Sequence, residues 1–147
     1  MFFNILKPAL NIPKAVYDEM INHAKDSYPH ECCGVLVGSQ HKEKRIFSAH
    51  RVQNQNKDRA SDRYIIDPKD INMIDRQCRV EDTQILGFYH SHPDHPDRPS
   101  QYDREWGQPG YSYVIVSVNG GKDVSAKSWT FDEDDEPFRE EKIKISS

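Results

Sequence analysis

Apolar residues recur along the chain with two periods, and each period predicts its own kind of element. Between Pro13 and Ser27, Val16, Met20 and Ala24 stand four residues apart with Tyr17 and Ile21 beside them, the spacing of one helix face. Pro13 suits the first helical position and Pro29 the end. Cys33 to Ser39 is a short apolar run of the buried-strand type. Lys44 to Val52 reads as its hairpin partner across a polar turn at residues 40–43. Gln53 to Ser61 is a polar loop and Arg63 to Ile66 a short strand. Asp67-Pro68 opens a second helix with Ile71, Ile74 and Cys78 on one face. Thr83 to His92 is a strand whose apolar content implies cover on both faces. Pro93, Pro96 and Pro99 make the next stretch stiff and extended. Ser100 to Trp106 is a short helix closed by Gly107. Tyr111 to Val118 is a strand, Asn119-Gly120-Gly121 a hairpin turn, and Asp123 to Phe131 and Phe138 to Ile145 are two more strands. This order predicts an α/β fold with helices flanking a mixed, mostly antiparallel sheet.

The 147 residues fit one domain, 1–147. Mean hydropathy is low, at -0.89, but aromatics at 10% are enough to fill a core. The net charge of -4 leaves no basic excess to displace counterions, so a nucleic-acid partner is not expected. No apolar run approaches the ~20 residues that span a bilayer, so no membrane partner is expected either. The opening MFFNILKPAL lacks the pattern of a signal peptide. Three cysteines, two of them adjacent, make no disulfide framework and fit a reducing cytoplasm. The acidic run from Asp132 to Glu136 reads as a solvated turn. A homodimer is compatible with the sequence but not required by it.

Chemistry concentrates in His90-Ser91-His92 and, seven residues on, Ser100-Gln101-Tyr102-Asp103. Strand side chains alternate, so His90 and His92 face the same way, about 6.6–6.8 Å apart along the strand. They are either two polar strand residues or two ligands converging on one metal. The proline-rich loop can fold Asp103 back as a third ligand; two His, one carboxylate and an open position compose a catalytic zinc site. Ser100 and Asp103 also match a capping box, a reading compatible with ligation because a helix start fixes where Asp103 points. Glu31, just before the strand at Cys33, is an ordinary loop acid unless a metal-activated water lies beside it, in which case it is a candidate general base. Cys32 and Cys33 face opposite ways as strand neighbours and read as buried small hydrophobes rather than ligands. His95 reads as a rim or solvent residue.

Together these residues resemble the motif of the JAMM (MPN+) metallopeptidase family: a Glu upstream, then His-x-His, seven residues, Ser, two residues and Asp. Here they are Glu31, His90, His92, Ser100 and Asp103, with no departure in type or spacing. Around them, residues 29–34, Tyr64 with Asp67-Pro68, Gly87 to Pro93 and Tyr111 to Ser117 look like the small stand-alone bacterial members. The resemblance implies a cytidine-deaminase-like α/β MPN fold and one zinc ion held by His90, His92 and Asp103. It implies Glu31 as the base and Ser100 as donor to the developing oxyanion. It also implies a substrate: a ubiquitin-like sulfur carrier protein trimmed after its Gly-Gly end, as in release of cysteine. Two other classes remain open. A non-catalytic scaffold that binds ubiquitin-like proteins would purify without metal. A non-haem iron oxygenase shares the two-His, one-carboxylate set but leaves Glu31 and Ser100 without roles. A deaminase is disfavoured, since neither H-x-E nor P-C-x-x-C is present.

Overall fold

A computed structural model describes residues 9–60 and 63–147. The opening segment through residue 8 and the last residue of the expected polar loop, Ser61, lie outside the described residues. Seven strands and three helices follow in the order β1 (Ala9–Pro13), α1 (Lys14–Ser27), β2 (Cys33–Gln40), β3 (Lys44–Val52), α2 (Pro68–Glu81), β4 (Gln84–Pro93), α3 (Gln101–Trp106), β5 (Ser112–Asn119), β6 (Asp123–Thr130) and β7 (Arg139–Ser146). The sheet closes on itself in the order β1-β3-β2-β4-β5-β6-β7. It is more mixed than the expected sheet. Hairpins make β2·β3, β5·β6 and β6·β7 antiparallel, and β2 also lies antiparallel to β4. β4·β5, β1·β3 and β1·β7 are parallel. Closure comes from β1, which the hydrophobic pattern did not predict: five residues, two of them Asn11 and Pro13, are too few to show a period.

Alternation along the strands sorts the interior. Leu10, Ile12, Leu36, Ile46, Val114 and Val116 pack with Val16, Met20 and Ala24 of α1. Val35 and Val37 face the other way, onto Cys78 of α2. α1 begins one residue later than expected, with Pro13 extended as its N-cap. α2 starts where Asp67-Pro68 places it, because the Asp67 carboxylate accepts the Lys69 N–H at 2.9 Å.

The strand expected at Arg63 to Ile66 is absent. Its residues run extended without a ladder, because the Asn54 side chain takes their backbone groups. Asn54 Nδ2 donates to the Arg63 carbonyl at 3.0 Å, and Oδ1 accepts the Ile65 N–H at 3.0 Å. Among the described residues no helix is long and apolar enough to cross a membrane.

The site is positioned by two features of topology. The antiparallel register Cys33↔His90 sets the mouth of β2, and so Glu31, beside the end of β4. Ser91 extends this pairing, its N–H donating to the Cys32 carbonyl at 3.1 Å and its hydroxyl accepting the Cys32 N–H at 2.8 Å. The parallel step from β4 to β5 needs a crossover, and that crossover carries α3 across the end of β4.

Candidate active site

His90 and His92 project from the same face of β4 into a buried corner closed by Asp103 on the first turn of α3. Their Nε2 atoms lie 3.2 Å apart. Asp103 Oδ1 is 3.0 Å from His90 Nε2, and Oδ2 is 3.0 Å from His92 Nε2. Tetrahedral coordination at about 2.0–2.1 Å places neighbouring donors roughly 3.3–3.4 Å apart, close to the spacing of the two imidazole nitrogens and of each from its own Asp103 oxygen. A carboxylate oxygen of Glu31 and a ring nitrogen of each histidine all lie within 4.8 Å of one another. Glu31 is 5% exposed and His90 fully buried, so the donor set is shielded from bulk water.

The His92 tautomer fits ligation. His92 Nδ1 is 2.8 Å from the Pro96 carbonyl, which has no proton to give; Nδ1–H is therefore the donor and Nε2 presents a lone pair to the corner. His90 is held flat by the ring of Tyr64, stacked at 4.4 Å. Burial lowers the pKa of His90 against the opposing pull of the Asp103 charge. Burial acts the same way on His92, but there the Asp103 carboxylate and the Pro96 carbonyl prevail and raise it. Burial also opposes ionisation of Asp103, yet the two imidazoles, His90 foremost, hold its carboxyl far below the usual carboxylate range. Asp103 is thus an anion between two nitrogen donors, the charge state a divalent metal needs.

Ser100 forms the complete capping box of α3. Its Oγ accepts the Asp103 N–H at 3.1 Å, and its own N–H donates to Asp103 Oδ2 at 2.8 Å. The hydroxyl serves as acceptor in that bond, so its proton remains available to another acceptor. Ser100, Glu31 and His92 open onto one cleft of about 460 Å³. His95 is exposed on its rim. Cys32 and Cys33 are buried free thiols, pushed up by burial to about 11 and about 12, as inert core residues are.

The loop from Asp94 to Pro99 is held by contacts the sequence did not reveal. Asp94 accepts from Tyr28 Oη at 2.7 Å and from the Gly120 N–H at 2.8 Å. The Trp129 indole donates to the Asp97 carbonyl at 2.9 Å, and Ser117 Oγ donates to the His95 carbonyl. Together they fix the Pro96 carbonyl, and through it His92. Two of these four acceptors are backbone carbonyls, which residue identity does not announce. At the far end of the crossover, Arg104 lies over the Phe131 ring at 4.1 Å and donates to the Asp134 and Glu136 carbonyls, tying α3 to the exposed acidic turn.

Comparisons with known proteins give the family and the fold. The family model for prokaryotic homologs of the JAB domain matches residues 13–132. A desampylase of Haloferax volcanii is 34% identical over 145 residues, covering 92% of this chain and 96% of that protein. A Desulfitobacterium hafniense protein solved in solution superposes with a TM-score of 0.81 at 28% identity, covering 93% of this chain and 92% of its own. One from Salinibacter ruber, also solved in solution, gives 0.70 at 34% identity, covering 92% and 90%. The crystal structure of a JAB1/MPN domain protein from Archaeoglobus fulgidus gives 0.58 at 18% identity, covering 95% and 98%, a likeness of fold. The α/β architecture, the match over residues 13–132 and the desampylase relative place this chain in the family of prokaryotic homologs of the JAB domain.

Proposed function

We propose that this protein is a zinc-dependent peptidase that hydrolyses a peptide or isopeptide bond after the Gly-Gly end of a ubiquitin-like sulfur carrier protein. The observation that carries the reading is the convergence of His90 Nε2, His92 Nε2 and the Asp103 carboxylate on one buried corner. These three residues would hold the zinc ion. When bound, zinc lowers the pKa of water and polarises a carbonyl.

The remaining steps belong to the chain. Glu31 Oε takes a proton from the attacking water as its oxygen bonds to the scissile carbonyl carbon. The Ser100 hydroxyl donates to the carbonyl oxygen as negative charge grows there. The C–N bond then breaks, and Glu31 returns the proton to the leaving nitrogen. Net, one water is consumed, and one carboxylate and one amine are released. The buried corner keeps bulk water from competing for these bonds. The desampylase name of one relative supports a ubiquitin-like substrate. Buried, unpaired thiols suit a reducing cytoplasm.

Zinc stoichiometry of variants tests the assignment. His92→Ala and Asp103→Asn are expected to lose the one zinc per chain that the parent protein retains through gel filtration. Stoichiometric zinc in both variants would remove the ligand assignment and the proposal with it.

A further inference from the structure

The reaction cleft carries positive charge that hydrolysis of the scissile bond does not use. Arg63 and Arg98 stand in the same cleft wall as Glu31, His92 and Ser100. Among the described residues, Glu31 is the only acid in that wall. Among the described residues, neither guanidinium is paired with a carboxylate, although the chain has 24 acidic residues and a net charge of -4.

Arg63 is held by a ring contact, and Arg98 projects from a braced stretch of backbone. The Arg63 guanidinium lies over the Tyr102 ring at 4.7 Å, and the Tyr102 hydroxyl donates to the Tyr64 carbonyl at 3.2 Å. A guanidinium held over a ring by its carbon keeps its N–H donors for a further partner. Arg98 sits between Asp97, whose carbonyl accepts the Trp129 indole, and Pro99, whose ring fixes φ. Its side chain is exposed at the cleft while its backbone neighbours are held.

A pair of unneutralised guanidiniums beside a hydrolytic centre selects an anion, and a planar carboxylate matches their fork geometry. On a peptide, a carboxylate lies close to the scissile bond when a single residue follows that bond, because that residue then ends in a free α-carboxylate. An isopeptide differs: its leaving group is a lysine side chain, whose own α-carboxyl is tied up in the protein backbone. Resting on the peptidase reading above, we infer that Arg98 and Arg63 bind the free α-carboxylate of the last residue of the substrate. They thereby direct the enzyme to remove one C-terminal amino acid rather than to break isopeptide links. The hydrolysis is balanced as before, with the released amino acid carrying the amine and leaving on the arginine side.

Two substrates with one and the same scissile bond test this. A carrier tail ending Gly-Gly-Cys is prepared as the free acid and as the carboxamide, and kcat/KM is measured on the zinc-loaded enzyme. The free acid is expected to be preferred by about 10–100-fold, the size of a lost charge-assisted pair. Arg98→Gln is expected to cut that preference to below about threefold by raising KM for the acid. Arg98→Lys should recover part of it, and Arg63→Gln should lower it independently. Calorimetric binding of both tails to Glu31→Gln gives the same ranking without turnover. Equal cleavage of acid and amide by the parent enzyme would overturn the carboxylate assignment while leaving the peptidase standing. A preference that survives both arginine-to-glutamine changes would overturn the residues named. Cleavage of neither tail would overturn the peptidase reading itself, and this inference with it.

Discussion

Replacing Ser100 by glycine separates the two roles of its side chain. As N-cap of α3, its Oγ accepts the Asp103 N–H at 3.1 Å. As proposed donor, its proton goes to the substrate carbonyl. The reciprocal bond of the capping box, from the Ser100 backbone N–H to Asp103 Oδ2 at 2.8 Å, needs no side chain at position 100 and survives any such change. Alanine at an N-cap costs about 0.5–2 kcal/mol, whereas glycine costs only a few tenths. Ser100→Gly therefore leaves the six-residue helix and its Asp103 almost as stable as before. Loss of one preorganised donor to a developing oxyanion costs about 10²–10³ in kcat, roughly 2.7–4 kcal/mol at the transition state. The expected pattern is nearly unchanged urea stability, one zinc per chain and a hundredfold or greater fall in kcat. Ser100→Thr, which keeps both hydroxyl functions, should retain most activity. The assay is intact mass of the trimmed carrier over time, with urea titration and zinc analysis on the same preparations. Turnover of Ser100→Gly within about threefold of the parent would show that Ser100 only caps the helix, and the donor role would be abandoned.

Further expectations follow from other parts of the molecule. Glu31→Gln should keep zinc and stability while kcat falls about 10²–10⁴-fold, the range for loss of a general base; loss of zinc in that variant would make Glu31 a ligand instead. Gly87→Ala would drive a Cβ to 2.0 Å from the Ser112 carbonyl oxygen, a backbone atom that cannot turn aside. It should lower unfolding free energy in urea by about 3 kcal/mol and loosen the β4·β5 pairing that carries the histidines, and an unchanged urea midpoint would refute the contact. His23 is pushed down by burial, with Arg51 adding to the effect, to about 4 from 6.5, and so stays neutral beside Tyr89, with Nδ1 2.7 Å from the hydroxyl. Between those two pH values the unfolded chain binds the proton and the folded one does not, so stability falls as pH drops from 6.5 toward 4. The full shift equals about 3 kcal/mol, which solvent at the ring edge screens to about 1–2 kcal/mol. Urea midpoints at pH 7 and pH 5 should therefore differ less for His23→Gln than for the parent, and equal differences would contradict the linkage.

How much of this could be read beforehand depended on whether the information was local. His90 and His92 share a face because a strand has period two, and that survives any choice of sheet partner. Ser100 and Asp103 were readable as a helix start because the capping box is written within four residues. The stiffness of residues 93–99 was likewise visible in the prolines. What it is braced against was not, since Trp129 and Ser117 reach its backbone carbonyls from strands 20 or more residues away. β1 escaped notice because its pairing with β3 and β7 is long-range and its five residues carry no period. Tyr64, Ile65 and Ile66 have strand-forming side chains, which suggested a strand. The Asn54 side chain instead takes the Arg63 carbonyl and the Ile65 N–H, and the Tyr64 ring stacks on His90. The arginines of the cleft were visible as residues but not as neighbours, because the chain separates them by more than thirty positions and the crossover brings them together.

The most direct measurement is the intact mass of a ubiquitin-like sulfur carrier extended by one cysteine after Gly-Gly, incubated with the zinc-loaded protein and, in parallel, with Glu31→Gln and with chelated enzyme. The account predicts loss of that single residue with the parent protein and an unchanged mass in both controls. An unchanged mass with the zinc-loaded parent, or equal trimming by Glu31→Gln, would contradict it.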